Sequence, residues 1–409
     1  MFAPDQWPAY YSRAKGCDCW DLEGNRYLDM SITGVGSCAL GFADPDVDSA
    51  VKAAIDAGQM STLNCPEEVE LADLLCELHP WAEMVRYSRA GGEALVIAIR
   101  IARAHTRRDK VAFCGYHGWH DWYLAANLAQ GNTLEGHLLP GLEPAGVPSG
   151  LTGTALPFRY NRIDELESIA ALHRGEIAAI VMEPCRSRDP DPGFLERVRE
   201  IADDTGAVMI FDEVTSGWRM NCGGIHLRYG VNPDIAVFAK AMSNGYPMAA
   251  IIGTVRVMES AQTSFISSTA WTERVGTVAA LATIRKHRDR NVAARLTEVG
   301  TRVQGIWKSA AQRAGLPIHV SGIPPLSHIG FEHGNPQAMA TLFTQLMLER
   351  GILAGKAFYA CFAHQDQHLK TYQEAVEDIF PVLVDAAAAA DVEQRLKGPV
   401  AHAGFYRLT

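Results

Sequence analysis

The chain has 409 residues, of which 47 are acidic and 37 are basic, so its formal charge at neutral pH is −10. With 48% hydrophobic and 21% charged residues, it has a globular composition, which excludes a disordered or fibrous chain. The acidic balance argues against nucleic acid as a partner, because phosphate backbones select clustered lysine and arginine.

The cysteines and the apolar runs indicate the cellular setting. Nine cysteines are scattered along the chain with no CxxC pair, which is typical of reduced thiols in the cytoplasm. No apolar run approaches the roughly 18 residues of a membrane-spanning helix. The first residues also lack the apolar core of a secretory signal. We therefore expect a cytoplasmic protein with no membrane partner.

The first part of the chain predicts a small β unit followed by two helices. Residues 19–22 and 27–29 read as two short strands, and Gly24-Asn25 between them suits a tight turn. Asp44-Pro45 predicts the start of a helix that runs to Gly58, and a second helix follows Cys65-Pro66.

Between residues 84 and 255, short apolar runs alternate with helical patterns. The predicted strands are 85–87, 111–114, 178–182, 208–211, 235–238 and 249–253, and the predicted helices are 92–105, 164–173 and 194–205. Unalternated apolar strands separated by helices predict a parallel sheet that is covered on both faces. Residues 127–160, rich in glycine and proline, have no clear period and predict an irregular excursion.

The last part of the chain is mainly helical. One long pattern runs from about residue 270 past Ile306, and it is followed by a strand at 317–320 and by helices near 336–350 and 368–390. We expect a large domain over residues 46–295. A small domain is expected to combine residues 1–45 with 296–409.

Two segments carry charged side chains at the ends of predicted strands. Asp212 and Glu213 follow the run 208–211, and Lys240 follows the run 235–238. In open α/β sheets, ligands bind where the carboxyl ends of the strands meet. A lysine there can act as an amine nucleophile. An acidic pair that caps a helix and a surface lysine are the plainer alternatives.

Two further segments offer partners for a planar anion. Gly91-Gly92 begins a predicted helix and exposes backbone N–H groups to a phosphate, although a plain turn would look the same. Tyr116 and His117 follow the strand at 111–114 and could stack on a flat ring, or simply pack within the loop. A zinc site at His117, His120 and Asp121 is not favoured, because no helix is expected there and no further ligands converge. We predict no metal.

Together these features fit pyridoxal 5′-phosphate. Its aldehyde needs a lysine for a Schiff base, and its pyridine nitrogen needs a carboxylate. Its phosphate needs N–H donors, and its ring needs flat partners.

At this point the sequence resembles the class III aminotransferases of the fold-type-I pyridoxal-phosphate enzymes, and most of all their glutamate-1-semialdehyde aminomutase-like branch. The motifs Gly-Gly-Glu-Ala, Tyr-His-Gly, Phe-Asp-Glu-Val and Ala-Lys-Ala-Met-Ser-Asn-Gly-Tyr-Pro carry the resemblance, which spans nearly the whole chain. It implies an α/β fold with a mostly parallel seven-stranded sheet flanked by helices, plus a small α+β domain made from both termini.

The resemblance also implies roles for single residues. Lys240 would form the Schiff base and move protons, Asp212 would hold the pyridine nitrogen protonated, and Tyr116 would complete the catalytic set. The implied cofactor-binding residues are Gly91, Gly92, Tyr116, His117, Glu183, Asp212, Val214, Lys240 and Thr269. Thr269 would reach the phosphate of the neighbouring subunit, so the resemblance implies a homodimer with shared active sites.

One departure from the family pattern concerns the phosphate. Where relatives commonly carry Ser-Gly-Thr or Ser-Gly-Ser, this chain has Ala90-Gly91-Gly92. Two hydroxyl groups are missing, so we expect backbone N–H groups to bear more of the phosphate, with the loss of one or two hydrogen bonds of about 1.5–3 kcal/mol each.

Three hypotheses follow for the function. The first is an aminotransferase that moves an amino group from a small-molecule donor to an aldehyde or ketone. The second is an intramolecular 2,1-aminomutase of the glutamate-1-semialdehyde type, and the third is a catalytically silent homologue, against which the intact Lys240 and Asp212 argue. Four arginines, on charge alone, indicate an anionic substrate, although each could equally lie on a solvated face: Arg89, Arg186, Arg188 and Arg274.

Overall fold

The computed structural model describes residues 3–131, 133–137, 141–185 and 187–404. The chain divides into two compact units. Of the described residues, the terminal unit takes 3–48, 187–188 and 286–403, and the sheet unit takes those of 49–185 and 189–285 together with residue 404. The domain borders expected from the sequence, after residues 45 and 295, stay a prediction.

The secondary structure of the described residues consists of short strands and longer helices. The strands are β1 (Arg13–Lys15), β2 (Asp18–Trp20), β3 (Arg26–Asp29), β4 (Met84–Ser88), β5 (Lys110–Cys114), β6 (Ala155–Pro157), β7 (Ile177–Met182), β8 (Val208–Asp212), β9 (Ile235–Phe238), β10 (Ala249–Gly253), β11 (Ile318–Ser321), β12 (Leu326–Phe331), β13 (Ile352–Leu353) and β14 (Ala357–Tyr359). The helices are α1 (Pro45–Asp56), α2 (Pro66–Leu78), α3 (Gly91–Thr106), α4 (Asp121–Leu124), α5 (Ile163–Leu172), α6 (Phe194–Thr205), α7 (Val255–Met258), α8 (Arg274–Asp289), α9 (Val292–Ala314), α10 (Pro336–Leu348) and α11 (Asp366–Ala388).

The sheet unit is built on a seven-stranded sheet with the order β4-β10-β9-β8-β7-β5-β6. Strands β6, β5, β7, β8 and β9 pair in parallel, whereas β10 is antiparallel to both of its neighbours, β9 and β4. Strand β4 therefore runs in the same direction as β9. The predicted sheet is confirmed, and the carboxyl ends of β4, β5, β7, β8 and β9 lie at one edge of it.

Each face of this sheet is buried in its own apolar cluster. Val111 and Phe113 of β5 pack with α3, whereas Ala112 and Cys114 of the same strand pack with α5 and α6 on the other face. Successive side chains of a strand point to opposite faces. A strand that is buried on both faces must therefore be apolar without alternation, which is the pattern read from the sequence.

The terminal unit contains two small sheets and three long helices. One sheet has the order β1-β2-β3-β13 and the other the order β11-β12-β14. The predicted hairpin is confirmed as β2 and β3, and the predicted helices near 336–350 and 368–390 are confirmed as α10 and α11. Helices α9 and α11 are joined by a buried hydrogen bond of 2.8 Å from Trp307 Nε1 to the hydroxyl oxygen of Tyr372.

Two sequence-based expectations are corrected. The long helical pattern after residue 270 is two helices, because Asn291 adopts a left-handed φ of 48° between α8 and α9. The stretch 127–160 is not irregular throughout, since it holds β6 at the edge of the large sheet. Among the described residues, no helix combines the length and the apolar composition needed to cross a membrane.

Candidate active site

The predicted site residues of the sheet unit follow the carboxyl ends of its strands. Asp212 is the last residue of β8, Glu183 comes directly after β7, and Lys240 lies two residues after β9. Tyr116 and His117 follow β5, and the first turn of α3 follows β4. Since these ends meet at one edge, the fold brings together side chains that are distant in sequence.

Asp212 is the most deeply buried carboxylate of this group. It is 3% exposed, and a charge at that depth is stable only where hydrogen-bond donors surround it. Its Oδ2 lies 2.8 Å from Nδ1 of His117, and its Oδ1 accepts a hydrogen bond of 3.0 Å from the backbone N–H of Val214. Each oxygen of the carboxylate therefore has a donor of its own.

His117 lies behind Asp212 and is fully buried. Its Nε2 lies 3.1 Å from the carbonyl oxygen of Cys114, and its ring stacks on Trp122 with centroids 6.0 Å apart at 22°. A backbone carbonyl can only accept, so Nε2 carries a hydrogen. The sequence leaves open whether His117 stacks on a flat ring or packs within its loop. The structure places it against the carboxylate of Asp212, with its ring stacked on Trp122.

Lys240 occupies a strained turn at the end of β9. Its φ is 50°, in the left-handed region that side chains other than glycine rarely adopt. Its Nζ donates a hydrogen bond of 3.1 Å to the hydroxyl oxygen of Thr215, three residues beyond Asp212. The half-buried amine is thus directed toward the segment that follows β8.

The first turn of α3 contains backbone N–H groups without a side-chain cap. Ala90 is the N-cap residue and makes no capping hydrogen bond through its side chain. The carboxylate of Glu93 accepts the N–H of Arg89 (2.9 Å), outside the helix. Gly91 and Gly92, both half-buried, occupy the first two helical positions. Such a terminus favours an anion.

Val214 and Tyr116 line the predicted ring site. A Cβ built on Gly91 would lie 2.9 Å from Cγ1 and 3.0 Å from Cγ2 of Val214, so only glycine fits beside this valine. Tyr116 meets Tyr123 edge to face, with centroids 5.8 Å apart at 86°. The phenol of Tyr123 donates to the carbonyl oxygen of Gly115 (3.1 Å), which holds the loop after β5.

Glu183 supports the same loop. Its Oε2 accepts the backbone N–H of Tyr116 at 3.2 Å, and the side chain is 5% exposed. A Cβ on Gly115 would lie 2.6 Å from that oxygen, and Gly115 has a φ of 115°. Only glycine fits between the strand and Glu183.

Thr269 lies on a segment of the sheet unit that Arg89 holds. Thr269 itself is exposed. The guanidinium of Arg89 donates to the carbonyl oxygens of Ala270 (2.8 Å), Trp271 (2.9 Å) and Glu273 (2.7 Å). Burial lowers the pKa of Arg89, and the carboxylate of Glu273 opposes that effect.

The arginines that indicated an anionic substrate have different positions in the structure. Arg89 is bound to the backbone of the Thr269 segment, and Arg274 forms a bidentate pair with Glu67, with Nε 3.0 Å from Oε2. These two guanidinium groups bind acceptors of the chain itself. Arg188 is exposed, and Arg186 lies outside the described residues.

Sequence reasoning missed a buried polar network next to Asp212. Glu213 accepts hydrogen bonds from Nδ1 of His226 (2.7 Å) and from Ser216 (2.7 Å). The indole N–H of Trp81 donates to Nε2 of His226 (3.0 Å), so His226 carries its hydrogen on Nδ1. Glu213 was named only as the neighbour of Asp212, and its partner lies thirteen residues further along the chain.

His79 packs against this network and is neutral. Its Nδ1 lies 2.8 Å from the carbonyl oxygen of Leu75, and its Nε2 accepts the N–H of Gly224 at 2.9 Å. Burial lowers the pKa of His79 from 6.5 to about 4. Its ring stacks on that of His226, with centroids 5.7 Å apart at 24°.

Comparisons of sequence and of fold with known proteins give consistent results. A family model described as class-III aminotransferase matches residues 2–379. The chain is 32% identical to the 3-aminobutyryl-CoA aminotransferase of Cloacimonas acidaminovorans (strain Evry), over 92% of this chain and 90% of that protein. It is 34% identical to the glutamate-1-semialdehyde 2,1-aminomutase of Roseiflexus castenholzii, over 93% of this chain and 92% of that protein. A solved omega-transaminase from Sphaerobacter thermophilus matches with a TM-score of 0.81 at 27% identity, covering 93% of this chain and 91% of that one.

Proposed function

Because this chain belongs to the class III aminotransferase family, we propose that the side chains at the carboxyl ends of its strands form its active site, with Lys240 as the catalytic amine. Membership confirms the predicted reaction, amino transfer from a donor to an aldehyde or ketone, and the predicted cofactor, pyridoxal 5′-phosphate. It also confirms the fold-type-I architecture. The residue roles below are our proposal.

The chemistry of the donors at this edge of the sheet fits the cofactor. The amine of Lys240 suits the aldehyde, the buried carboxylate of Asp212 suits the pyridine nitrogen, and the uncapped first turn of α3 suits the phosphate. Val214 and Tyr116 are the half-buried apolar and aromatic partners for the two ring faces. The observation that carries the proposal is that all of these groups lie in one unit, after strand ends at the same edge of the seven-stranded sheet.

Each of these residues has a separate task in the reaction. When bound, the cofactor supplies an aldehyde that exchanges amino groups and a ring that delocalises the electrons left on the substrate carbon. Lys240 would hold the cofactor through its Nζ, and the same nitrogen, when free, would accept the proton that leaves the substrate carbon. Thr215 orients this amine through its hydroxyl oxygen.

Asp212 supplies a carboxylate, and His117 holds that carboxylate in place. Donors face both oxygens of the buried Asp212 carboxylate, and this carboxylate would hold a proton on the pyridine nitrogen. His117 is a positioning residue, since it touches Asp212 and the backbone. Glu183 positions Tyr116 through that residue's backbone N–H.

The substrates distinguish amino transfer from the aminomutase alternative. The family model and the transaminase neighbour favour transfer between two molecules. Purified protein with bound cofactor should turn over amino donors repeatedly only when a 2-oxo acid or aldehyde is added. One molecule of acceptor should be consumed for each molecule of donor. Turnover of an amino aldehyde without any acceptor would establish the aminomutase reaction instead.

Lys240→Ala provides the direct test of the proposed amine. The variant should bind the cofactor without the visible absorbance of the lysine-bound form, and amino transfer should fall by at least about a thousandfold. Lys110→Ala is a matched control, because Lys110 lies at the opposite end of β5 and pairs with Glu176. Full activity in Lys240→Ala would refute the assignment.

The exposed position of Thr269 supports a homodimer with shared active sites. The segments near residues 60 and 270 are joined by a hydrogen bond of 2.8 Å from the N–H of Arg274 to the carbonyl oxygen of Gln59. Both segments present large apolar side chains to solvent: Leu63 is 82% and Phe265 88% exposed. A subunit interface at these segments would remove both side chains from water.

Mixing two defective variants tests this assembly. Lys240→Ala and Thr269→Ala subunits, mixed and allowed to exchange, should regain activity, because one hybrid site would carry both native residues. Light scattering should give twice the mass of one chain. A monomer with full activity would contradict the shared site.

We also place the protein in the cytoplasm. No disulfide joins cysteines anywhere in the described chain, which is usual for a reducing compartment. Fractionation of the source cells tests this placement.

A further inference from the structure

The imidazole of His120 lies directly over the first turn of α3. A Cβ built on Gly92 would lie 3.1 Å from Cδ2 and 3.2 Å from Nε2 of His120, closer than ordinary contact. Gly92 is the second residue of the helix, where the backbone N–H groups have no side-chain cap. A ring nitrogen of His120 therefore lies next to the group of N–H donors to which we assign the phosphate.

The backbone on both sides of the ring holds it in this position. A Cβ on Gly118 would lie 3.3 Å from Cα of Gly92, so the loop that carries His120 touches the start of α3. The carbonyl oxygen of His120 accepts the N–H groups of Tyr123 (3.0 Å) and Leu124 (3.1 Å), which ties the residue to α4. The ring also stacks on Trp119, with centroids 4.4 Å apart at 18°.

The hydrogen-bonding capacity of the ring is unused by the described protein residues. Neither nitrogen of His120 has a hydrogen-bond partner among them, although the side chain is only partly exposed. Partial burial lowers the pKa of His120, with Asp121 and Glu93 opposing the effect. An imidazole can donate a hydrogen bond to an anion in either protonation state.

We propose that His120 binds the phosphate of the cofactor, as the side-chain donor of a phosphate site that has no hydroxyl group at residues 90–92. This inference rests on the proposed function, since it takes the first turn of α3 as the phosphate site. It adds a residue that sequence reasoning considered only for zinc. It also explains why residue 92 is glycine: a side chain there would occupy the space of the imidazole.

Comparing pyridoxal phosphate with pyridoxal, which lacks the phosphate, isolates this contact. Apoenzyme of the full-length wild type, of His120→Phe and of His120→Gln would be titrated with each compound, and bound cofactor would be followed by tryptophan fluorescence. Phenylalanine keeps the packing on Gly92 and Trp119 but cannot donate, whereas glutamine keeps an N–H donor.

The expected result is a selective loss. His120→Phe should bind pyridoxal phosphate about tenfold to a hundredfold more weakly, with pyridoxal changed by less than about twofold, and His120→Gln should lie between it and the wild type. An equal loss for both compounds, or no loss, would overturn the role of His120. Absence of saturable binding by the wild type would instead contradict the proposed function itself.

A second variant pair guards against a simple packing defect. Gly92→Ser should weaken pyridoxal phosphate binding in the wild type, because the new side chain collides with His120. In His120→Ala the same substitution should strengthen binding, because it restores a donor where the ring was. If Gly92→Ser has the same effect in both backgrounds, residues 92 and 120 do not share the phosphate and the proposal is wrong.

Discussion

The Nδ1 atom of His117 lies 2.8 Å from Oδ2 of Asp212, and the opposite nitrogen of the same ring lies 3.1 Å from the carbonyl oxygen of Cys114. Both nitrogens therefore face acceptors. An imidazole ring that faces an acceptor at each nitrogen is held in one orientation. His117 therefore fixes the buried carboxylate of Asp212 next to the proposed position of the pyridine nitrogen.

Removing the charge of Asp212 should slow amino transfer with little loss of cofactor. In Asp212→Asn the fixed negative charge disappears, and kcat should fall by about two to three orders of magnitude, as when a preorganised electrostatic contact is lost. Steady-state kinetics and cofactor stoichiometry measure both effects. Asp234→Asn is the matched control, because Asp234 is also a buried aspartate but pairs with Arg199 and Arg256. A similar fall in kcat in both variants would show a general folding defect.

The hydroxyl of Thr215 should matter for the orientation of the lysine amine. Thr215→Val removes the acceptor of the 3.1 Å hydrogen bond from Lys240 at nearly constant volume. We expect a three- to tenfold slower single turnover, about the value of one neutral hydrogen bond. Rapid mixing with an amino donor measures this rate. Thr215→Ser keeps the hydroxyl and should react at close to the wild-type rate. Equal rates in Thr215→Val and Thr215→Ser would show that this hydrogen bond does not affect the reaction.

Arg89 should act through the segment that carries Thr269. Arg89→Met loses three hydrogen bonds to the backbone of residues 270–273, so the segment should no longer hold Thr269 in place. We expect Arg89→Met and Thr269→Ala to weaken cofactor retention together by less than the sum of their separate effects. Dialysis of the holoenzyme measures retention.

A suitable control for this cycle lies further along α3. Arg103 also donates to a backbone carbonyl, that of Asp109, at 3.0 Å. Arg103→Met should combine additively with Thr269→Ala. Additivity in the Arg89 pair as well would mean that Arg89 stabilises the fold without positioning Thr269.

Acid should destabilise the protein through its buried neutral histidines. Burial lowers the pKa of His79 from 6.5 to about 4, so between these pH values the histidine is protonated in the unfolded chain but not in the folded chain. The free energy of unfolding is therefore unaffected by this group above pH 6.5, and it falls by up to roughly 3 kcal/mol as the pH is lowered toward 4. His364, in the terminal unit, has the same shift for the same reason and should contribute independently.

Denaturant unfolding at a series of pH values measures this dependence. His79→Gln should lower the free energy of unfolding at pH 7. Between pH 6.5 and 4, the slope of that free energy against pH should decrease by the equivalent of about one proton. His364→Gln should remove a similar share. An unchanged slope in His79→Gln would show that His79 is protonated in the folded protein.

Much of the central sheet could be predicted because the apolar composition of its strands indicates that they are buried. Apart from Asp212 at the end of β8, strands β7, β8 and β9 are apolar at every position, which only a strand covered on both faces requires. Strand β6 has three residues at the sheet edge and ends in a proline, so it has no such pattern. The break between α8 and α9 depends on the backbone of Asn291, while the apolar period continues on both sides.

Candidate site residues could be named from the sequence, but their contacts could not be predicted from it. Asp212 and Lys240 can be recognised in the sequence as charged residues at the ends of apolar runs. That His117 would turn toward Asp212 depends on the spatial order of β5, β7 and β8, which the sequence order does not contain. The approach of His120 to Gly92 likewise depends on how a loop after β5 packs on a helix after β4.

At position 240 the left-handed backbone favours glycine, whereas the proposed reaction requires a lysine. A residue other than glycine with a φ of 50° costs about 1–2 kcal/mol, and alanine there would carry the same penalty. A glycine would relieve it, but would leave no amine. The residue that the fold prefers is therefore one that the reaction cannot use, and an inactive Lys240→Gly protein should melt at a higher temperature than Lys240→Ala.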